Sequence, residues 1–330
     1  MTTHRRRPRR LIATLATAAL TLLAGCGGAS SDASAGGAEG GDTYTVHNTF
    51  NGDVSGVPKH PKRVVALWRT GTELADMGVT PVGALEDEFL PGELDAKTYA
   101  RVKDVPTVGT WQGVDIEKVI KVRPDLIVGM DNGGLGIDYD ELSQVAPTVI
   151  FKIAEPPDVW RNYPRLARVL GKSTDFHDRN AALDRRLAGI RQRYGERIAD
   201  AKAVALSADA GDTWVATSKA LNVQRIRAAG FDYLERYRKR PERFAEELST
   251  ENLPRLSDAD VIFYTVDLRG KPTPDMARLL REESFRRLPA VRAGNLFPLT
   301  SGTIFSFPAG DRQVDDLTRA ARALTPVDRG

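Results

Sequence analysis

Large aromatic and basic side chains recur just after short apolar segments of this chain, where they could form a binding surface. Trp68 and Arg69 directly follow the apolar segment 64–67. Arginine offers charge-assisted hydrogen bonds to ligand oxygens, and tryptophan offers a flat apolar wall that can also attract a cation. Other such side chains begin or end an apolar segment (Trp214, Tyr264), follow the last one (Phe305) or lie in a basic segment at 236–240 (Tyr237, Arg238). The ligand-binding residues expected from these patterns are Trp68, Arg69, Trp214, Tyr237, Arg238, Tyr264 and Phe305.

The single cysteine, Cys26, closes a leader that is typical of an export signal. Five arginines precede an apolar segment at 11–23, which is shorter than the roughly 20 apolar residues of a membrane span. The sequence Leu-Ala-Gly-Cys at 23–26 resembles a bacterial lipobox, in which the cysteine is lipidated after cleavage. We therefore expect an exported protein, lipid-anchored to the outer face of the cell membrane. Both the Sec and the twin-arginine export routes stay open.

The charge of the mature chain argues against nucleic-acid binding. The formal net charge is +3, but cleavage removes five arginines and leaves 42 of the 47 basic side chains against 44 acidic ones. The resulting charge of −2 does not suit a polyanionic partner. Residues 27–42 are mostly Gly, Ala and Ser, which cannot bury enough apolar surface to fold, so we expect a flexible tether.

Apolar segments alternate with helical patterns along the remaining chain, which predicts an α/β fold with parallel-rich sheets. The longest helical pattern lies centrally and predicts a connector of roughly 37 Å between two lobes. The expected strands are 64–67, 81–84, 125–129, 148–151, 203–206, 214–216, 261–264 and 295–299. The expected segments are a signal peptide at 1–25, the lipidated cysteine and tether at 26–43, a first lobe at 44–172, the connector at 173–199 and a second lobe at 200–330.

A weak internal sequence repeat relates the two predicted lobes and contains one glutamate in each. Glu117 and Glu251 each follow a helix-capping type of residue, and each precedes an apolar strand headed by an aspartate, Asp125 or Asp260. Glutamate in the first turn of a helix is also favoured by the helix dipole alone. The repeat therefore indicates equivalent positions in the two lobes but does not assign them a function.

The segments 61–67, 72–84 and 108–127, together with 288–294, resemble the cluster A-II (class III) substrate-binding proteins of ABC importers. The resemblance extends over about residues 60–325. It implies two α/β lobes joined by a single long helix, a ligand cleft between the lobes, no catalysis, no cofactor and a monomer. It adds Trp111 and Gln112 to the expected ligand-binding residues, and it implies that Glu117 and Glu251 dock onto the importer's permease.

Members of this family carry ferric siderophores, haem or vitamin B12, and the pairing of Trp68 with Arg69 favours a ferric siderophore. Vitamin B12 stays an alternative, and so does haem, for which Tyr99, Tyr139 or Tyr264 could supply an axial ligand. Direct capture of a bare metal ion is not expected, because only three histidines, His47, His60 and His177, remain after cleavage.

Two functional classes other than an importer receptor are compatible with an exported, lipid-anchored α/β protein. A lipid-anchored hydrolase is disfavoured because the chain has no Gly-x-Ser-x-Gly, Walker or His-Glu-x-x-His motif, and 133–136 is only a glycine-rich loop. A solute sensor that presents its ligand to a membrane signalling partner would share the fold, so the sequence leaves that alternative open.

Overall fold

A computed structural model describes residues 41–328, which form two lobes of mixed α/β structure and confirm the expected fold class. The signal peptide, Cys26 and nearly all of the tether lie outside the described residues. None of the helices within 41–328 combines the length and the apolar character that a membrane crossing requires.

The first lobe is built on a six-stranded sheet in the order β6-β5-β4-β3-β7-β8, in which only the β5–β6 pair is antiparallel. A separate antiparallel hairpin, β1–β2, precedes it and was not predicted. The strands are β1 Thr43–Thr49, β2 Gly52–Pro58, β3 Val64–Ala66, β4 Gly83–Leu85, β5 Thr107–Thr110, β6 Gly113–Val114, β7 Leu126–Asp131 and β8 Thr148–Lys152. The helices are α1 Gly71–Asp76, α2 Ala96–Val102, α3 Ile116–Val122, α4 Tyr139–Ser143 and α5 Asp158–Val169.

The second lobe has a sheet in the order β12-β10-β9-β13-β14, with β11 paired beside β9. Strands β9, β13 and β14 run parallel, and β10 and β12 are antiparallel additions at the edge. The strands are β9 Lys202–Asp209, β10 Asp212–Ala216, β11 Asp232–Tyr233, β12 Ala245–Glu247, β13 Val261–Val266 and β14 Leu296–Thr300. The helices are α7 Leu221–Ala228, α8 Glu235–Arg238, a 3-10 helix at Thr250–Leu256, α9 Pro274–Leu279, α10 Glu283–Arg286, α11 Pro289–Arg292 and α12 Phe307–Ala323.

Alternation of side chains along the first-lobe strands produces a core on each face of the sheet. Val64 and Ala66 of β3 face one apolar cluster, whereas Val65 and the following Leu67 face the other. This is the two-residue period of a strand that is covered on both faces. The apolar runs of the sequence were sufficient to predict β3, β7 and β8 because both faces of these strands are buried.

The long helix α6, Ser173–Ile198, joins the lobes as expected, with 26 residues spanning roughly 39 Å. Phe176 packs into a first-lobe cluster, while Leu183, Leu187 and Ile190 pack into the second-lobe core. The helix is therefore an integral part of both hydrophobic cores.

A second helix also reaches both lobes, which the sequence did not predict. Phe307, at the start of α12, packs with Tyr163 and Phe176 in the first-lobe cluster, while Leu317 lies in the second-lobe core. The carboxylate of Asp76 accepts a hydrogen bond from the Phe307 N–H at 2.8 Å. The lobes are therefore held together by two adjacent helices rather than by α6 alone.

Candidate functional site

Two cavities lie side by side between the lobes and share a wall formed by Thr303 and Phe305. The first-lobe cavity has a volume of about 430 Å³ and the second-lobe cavity about 390 Å³. Residues directly after β3 and β4 line the first cavity, and residues near the ends of β9 and β13 line the second. Both cavities thus sit at the carboxyl ends of parallel strands, where α/β folds place their ligands. Of the expected residues, the cavities bring together Trp68, Arg69, Trp111, Gln112, Trp214 and Phe305.

The turn after β3 holds Arg69 in an unusual conformation on the wall of the first cavity. Its φ angle is +63°, in the left-handed region that non-glycine residues seldom occupy. Its guanidinium carbon lies 5.4 Å from the ring centre of Trp68, which is within cation–π range. Such backbone strain persists only where the surroundings impose it, and it concentrates at functional sites.

Glu88 imposes that turn on the backbone. Its carboxylate accepts hydrogen bonds from the N–H groups of Arg69 at 2.9 Å, Thr70 at 3.2 Å and Gly71 at 2.8 Å. A Cβ on Gly71 would lie 2.8 Å from the Cβ of Glu88, so only glycine allows this close approach. Glu88 therefore positions Arg69 from the turn after β4, 19 residues further along the chain, a relation that no local sequence signal reveals.

Trp111 and Gln112 form the two-residue tip of the β5–β6 hairpin. The Trp111 side chain is 58% exposed although it lines the first cavity. The Gly136 N–H donates to the Trp111 carbonyl at 3.2 Å, and a Cβ on Gly136 would lie 2.5 Å from the Gln112 carbonyl oxygen. The glycine-rich loop 133–136 thus braces the hairpin tip, and an exposed aromatic ring is available to a ligand.

Acidic side chains outnumber basic ones five to one in the lining of the first cavity, and no sequence pattern indicated this. Burial raises the pKa of Glu73 well above its ordinary value. Burial also raises the pKa of Glu88 to about 7, although the backbone N–H groups it accepts from favour its ionised form. For Glu93, burial raises the pKa while the charge of Arg69 lowers it. The five acidic residues of this lining are Glu73, Glu86, Asp87, Glu88 and Glu93.

The second cavity is less charged and richer in hydroxyl groups. Trp214 and Phe244 supply aromatic surface, and Arg243 and Asp209 are its charged residues. Its polar lining consists of Ser207, Asn222, Thr265, Thr273, Ser301 and Thr303. Such a wall can contact an amphipathic ligand through both apolar surface and hydrogen bonds.

Three residues that were expected at the site do not line either cavity. Tyr237 is buried in the second-lobe core, and the half-buried Tyr264 packs against the same core. The Arg238 Nε lies 3.7 Å from a carboxylate oxygen of Asp232. The two tyrosines pack in the second-lobe core and Arg238 faces Asp232, so these three residues are not part of the candidate site.

The lobes touch each other at both rims of the cleft. On one side the Leu268 N–H donates to the Gly92 carbonyl at 3.0 Å. On the other side the Phe244 N–H donates to the Glu155 carboxylate at 3.2 Å. These bonds cross from one lobe to the other, so the described conformation has the cleft bridged at its edges.

Glu117 and Glu251 occupy equivalent places in the two lobes. Glu117 lies in the first turn of α3, which follows the edge strand β6. Glu251 lies in the first turn of the 3-10 helix, which follows the edge strand β12. Both side chains are exposed. The internal sequence repeat thus corresponds to the same structural position in each lobe, the first helical turn after the edge strand.

No group of three or more His, Cys, Asp or Glu side chains within residues 41–328 is arranged to hold a metal ion.

A family model described as periplasmic binding protein matches residues 68–303 of the chain. The probable siderophore-binding lipoprotein YfiY of Bacillus subtilis is 26% identical over 272 residues, which covers 77% of this chain and 79% of that protein. The putative ABC transporter substrate-binding lipoprotein YhfQ of the same organism is 27% identical over 173 residues, and the chain spans only 52% of its length. The siderophore periplasmic binding protein from the fuscachelin gene cluster of Thermobifida fusca superposes with a TM-score of 0.71 at 26% identity, covering 81% of this chain and 99% of that one.

Proposed function

Because this chain belongs to the periplasmic binding protein family, we propose that it is an extracytoplasmic receptor that binds a ferric siderophore between its lobes and delivers it to an ABC permease. The observation that carries the proposal is the pair of cavities joined at Thr303 and Phe305, with an exposed Trp111 at the edge. Together they offer a large amphipathic chelate two complementary walls. The names of the relatives support the ligand class, since one is described as siderophore-binding and another comes from a siderophore gene cluster.

The proposal includes a binding role without catalysis and a lipid anchor at Cys26. Relatives described as substrate-binding lipoproteins support the anchor, as does the lipobox-like sequence that ends at this cysteine. The receptor would act as a monomer at the outer face of the cell membrane. Glu117 and Glu251 would be the contacts with basic residues of the permease, one from each lobe.

The role of Trp111 provides a direct test of the proposed site. We expect Trp111→Ala to weaken binding of the ferric chelate by about tenfold or more, which corresponds to about 1.4 kcal/mol, because a large ring would no longer cover the ligand. Isothermal titration calorimetry measures this change. The melting temperature should stay unchanged, because the ring is 58% exposed in the free protein.

Ile120→Ala is the matched control, since Ile120 is 53% exposed on the same lobe and lines neither cavity. Its affinity for the chelate should equal that of the unaltered protein. Equal affinities for Trp111→Ala and Ile120→Ala would place the ligand away from the hairpin tip.

A further inference from the structure

The first-lobe cavity is lined by more acidic than basic side chains. Five acidic side chains line it against one basic side chain, that of Arg69. Glu86 and Asp87 are exposed at the rim, whereas Glu73 and Glu88 are buried. An acidic cluster on its own says little, because carboxylates are common on protein surfaces and are often solvated or bound to their own backbone.

Glu73 differs from the other acids because one of its oxygens is buried and has no partner. The residue is 3% exposed and lines the cavity from the first turn of α1. Its Oε2 has no hydrogen-bond partner among residues 41–328. Buried polar atoms are nearly always paired, because an unpaired one has lost its hydrogen bonds to water without replacement. The neighbouring Glu88 shows the ordinary arrangement, with both oxygens bonded to backbone N–H groups.

The aromatic rings of this cavity favour a ligand group that carries positive charge. Trp68 and Trp111 both line the cavity, and the faces of indole rings attract cations. A donor that carries positive charge would therefore meet a carboxyl oxygen without a partner, further carboxyl groups and two indole rings. The single positive charge of Arg69 can offset only one of the five acidic side chains, so the cavity wall keeps an excess of hydrogen-bond acceptors.

We propose that the ligand carries a cationic nitrogen group, an ammonium or a guanidinium, which enters the first-lobe cavity and donates a hydrogen bond to Oε2 of Glu73. The proposal rests on the proposed function and narrows it to ferric chelates that have such a group. Arg69 would face the metal-binding oxygens of the same chelate, so that the two ends of the ligand meet groups of opposite charge.

The electrostatic state of the cavity supports this assignment. Burial raises the pKa of Glu73 well above its ordinary value and that of Glu88 to about 7, so the empty cavity disfavours ionised carboxyl groups. A cation beside Glu73 favours the ionised form and reverses this effect. A neutral or anionic ligand group beside Glu73 would not stabilise the ionised form of its carboxyl group.

The test compares two chelates that differ in one charge. The ferric complex of desferrioxamine B carries a free ammonium group, and its N-acetylated derivative has the same iron-binding core without the charge. We expect the protein to bind the ammonium form at least about tenfold more tightly at pH 7.5, as measured by isothermal titration calorimetry. Glu73→Gln should reduce this preference to less than about threefold while changing the affinity for the acetylated form little.

Glu196→Gln is the matched control, because Glu196 is exposed on α6 and lines neither cavity. It should keep the full preference. Glu73→Gln preserves the side-chain volume and removes a buried ionisable group, so its melting temperature should not fall. If that variant does not fold, Glu93→Gln, which is half-buried on the same wall, should also reduce the preference.

Each other outcome overturns a separate statement. Equal affinity for the two chelates, or an undiminished preference in the Glu73→Gln variant, overturns the cationic assignment and leaves the proposed function standing. Tighter binding of an anionic ferric tris-catecholate than of either hydroxamate has the same consequence. Failure of the unaltered protein to bind any ferric chelate of the three contradicts the proposed function itself, and the cationic assignment falls with it.

Discussion

Glu117→Arg and Glu251→Arg are each expected to abolish uptake of the ligand by cells while leaving the affinity of the purified receptor unchanged. Both glutamates are exposed, and each lies in the first turn of the helix that follows the edge strand of its lobe's sheet. Neither lines the cavities, so ligand contacts should be retained. An arginine placed against a basic residue of the permease would replace attraction with repulsion, and like charges across an interface cost several kcal/mol.

The measurement pairs uptake of the radiolabelled ferric chelate by cells with calorimetric affinity of the same variants. Glu196→Arg, which makes the same change of charge on an exposed face of α6, should retain uptake. Unimpaired uptake in both the Glu117→Arg and the Glu251→Arg variants would eliminate the docking role. Loss of ligand affinity in either variant would show instead that the substitution disturbs the lobe.

Asp76→Ala is expected to lower the free energy of unfolding by about 3–5 kcal/mol, because it breaks a buried ion pair where the lobes meet. The Asp76 side chain is 2% exposed, and its carboxylate lies 2.7 Å from the Arg179 Nη2 on α6. It also accepts hydrogen bonds from the Tyr163 hydroxyl at 2.7 Å and from the Phe307 N–H at 2.8 Å. Removal of the carboxylate leaves all three donors without this partner.

Asp175→Ala provides a closely matched control for this prediction. The Asp175 carboxylate lies 3.9 Å from the Nη1 of the same arginine, but its side chain is 52% exposed. An exposed pair of this kind contributes about 0–1 kcal/mol. Urea denaturation should therefore separate the two variants clearly, and coincident unfolding curves would show that the Asp76 network does not stabilise the junction of the lobes.

The sequence predicted those parts of the fold whose signals are local. Strands such as β7 and β8 are continuous apolar runs because both faces of the sheet are covered, and the period of α6 is visible in its apolar residues. The β1–β2 hairpin was missed because its strands are short of apolar residues and largely exposed. The β5–β6 hairpin was missed because β6 has only two residues.

Only those residues of the site that have a local sequence signal were predicted. Trp68, Arg69 and Phe305 were found because each follows a recognisable strand. Glu73 was not predicted, because no local sequence signal shows that its side chain is buried and lines the first cavity together with Glu88 and Glu93. Tyr237 was expected at the site because it lies in a basic segment, but packing of the second lobe buries its ring.

The central claim, that the cleft binds a ferric siderophore, is tested most directly by titrating the tryptophan fluorescence of the purified protein. Trp68, Trp111 and Trp214 line the cavities, whereas Trp160 packs among the aromatic rings between the lobes. The panel consists of ferric siderophores, their iron-free forms, haem and cobalamin. We predict saturable quenching by a ferric siderophore and none by its iron-free form. Saturation by cobalamin or haem alone, or no response to any of these ligands, would contradict the claim.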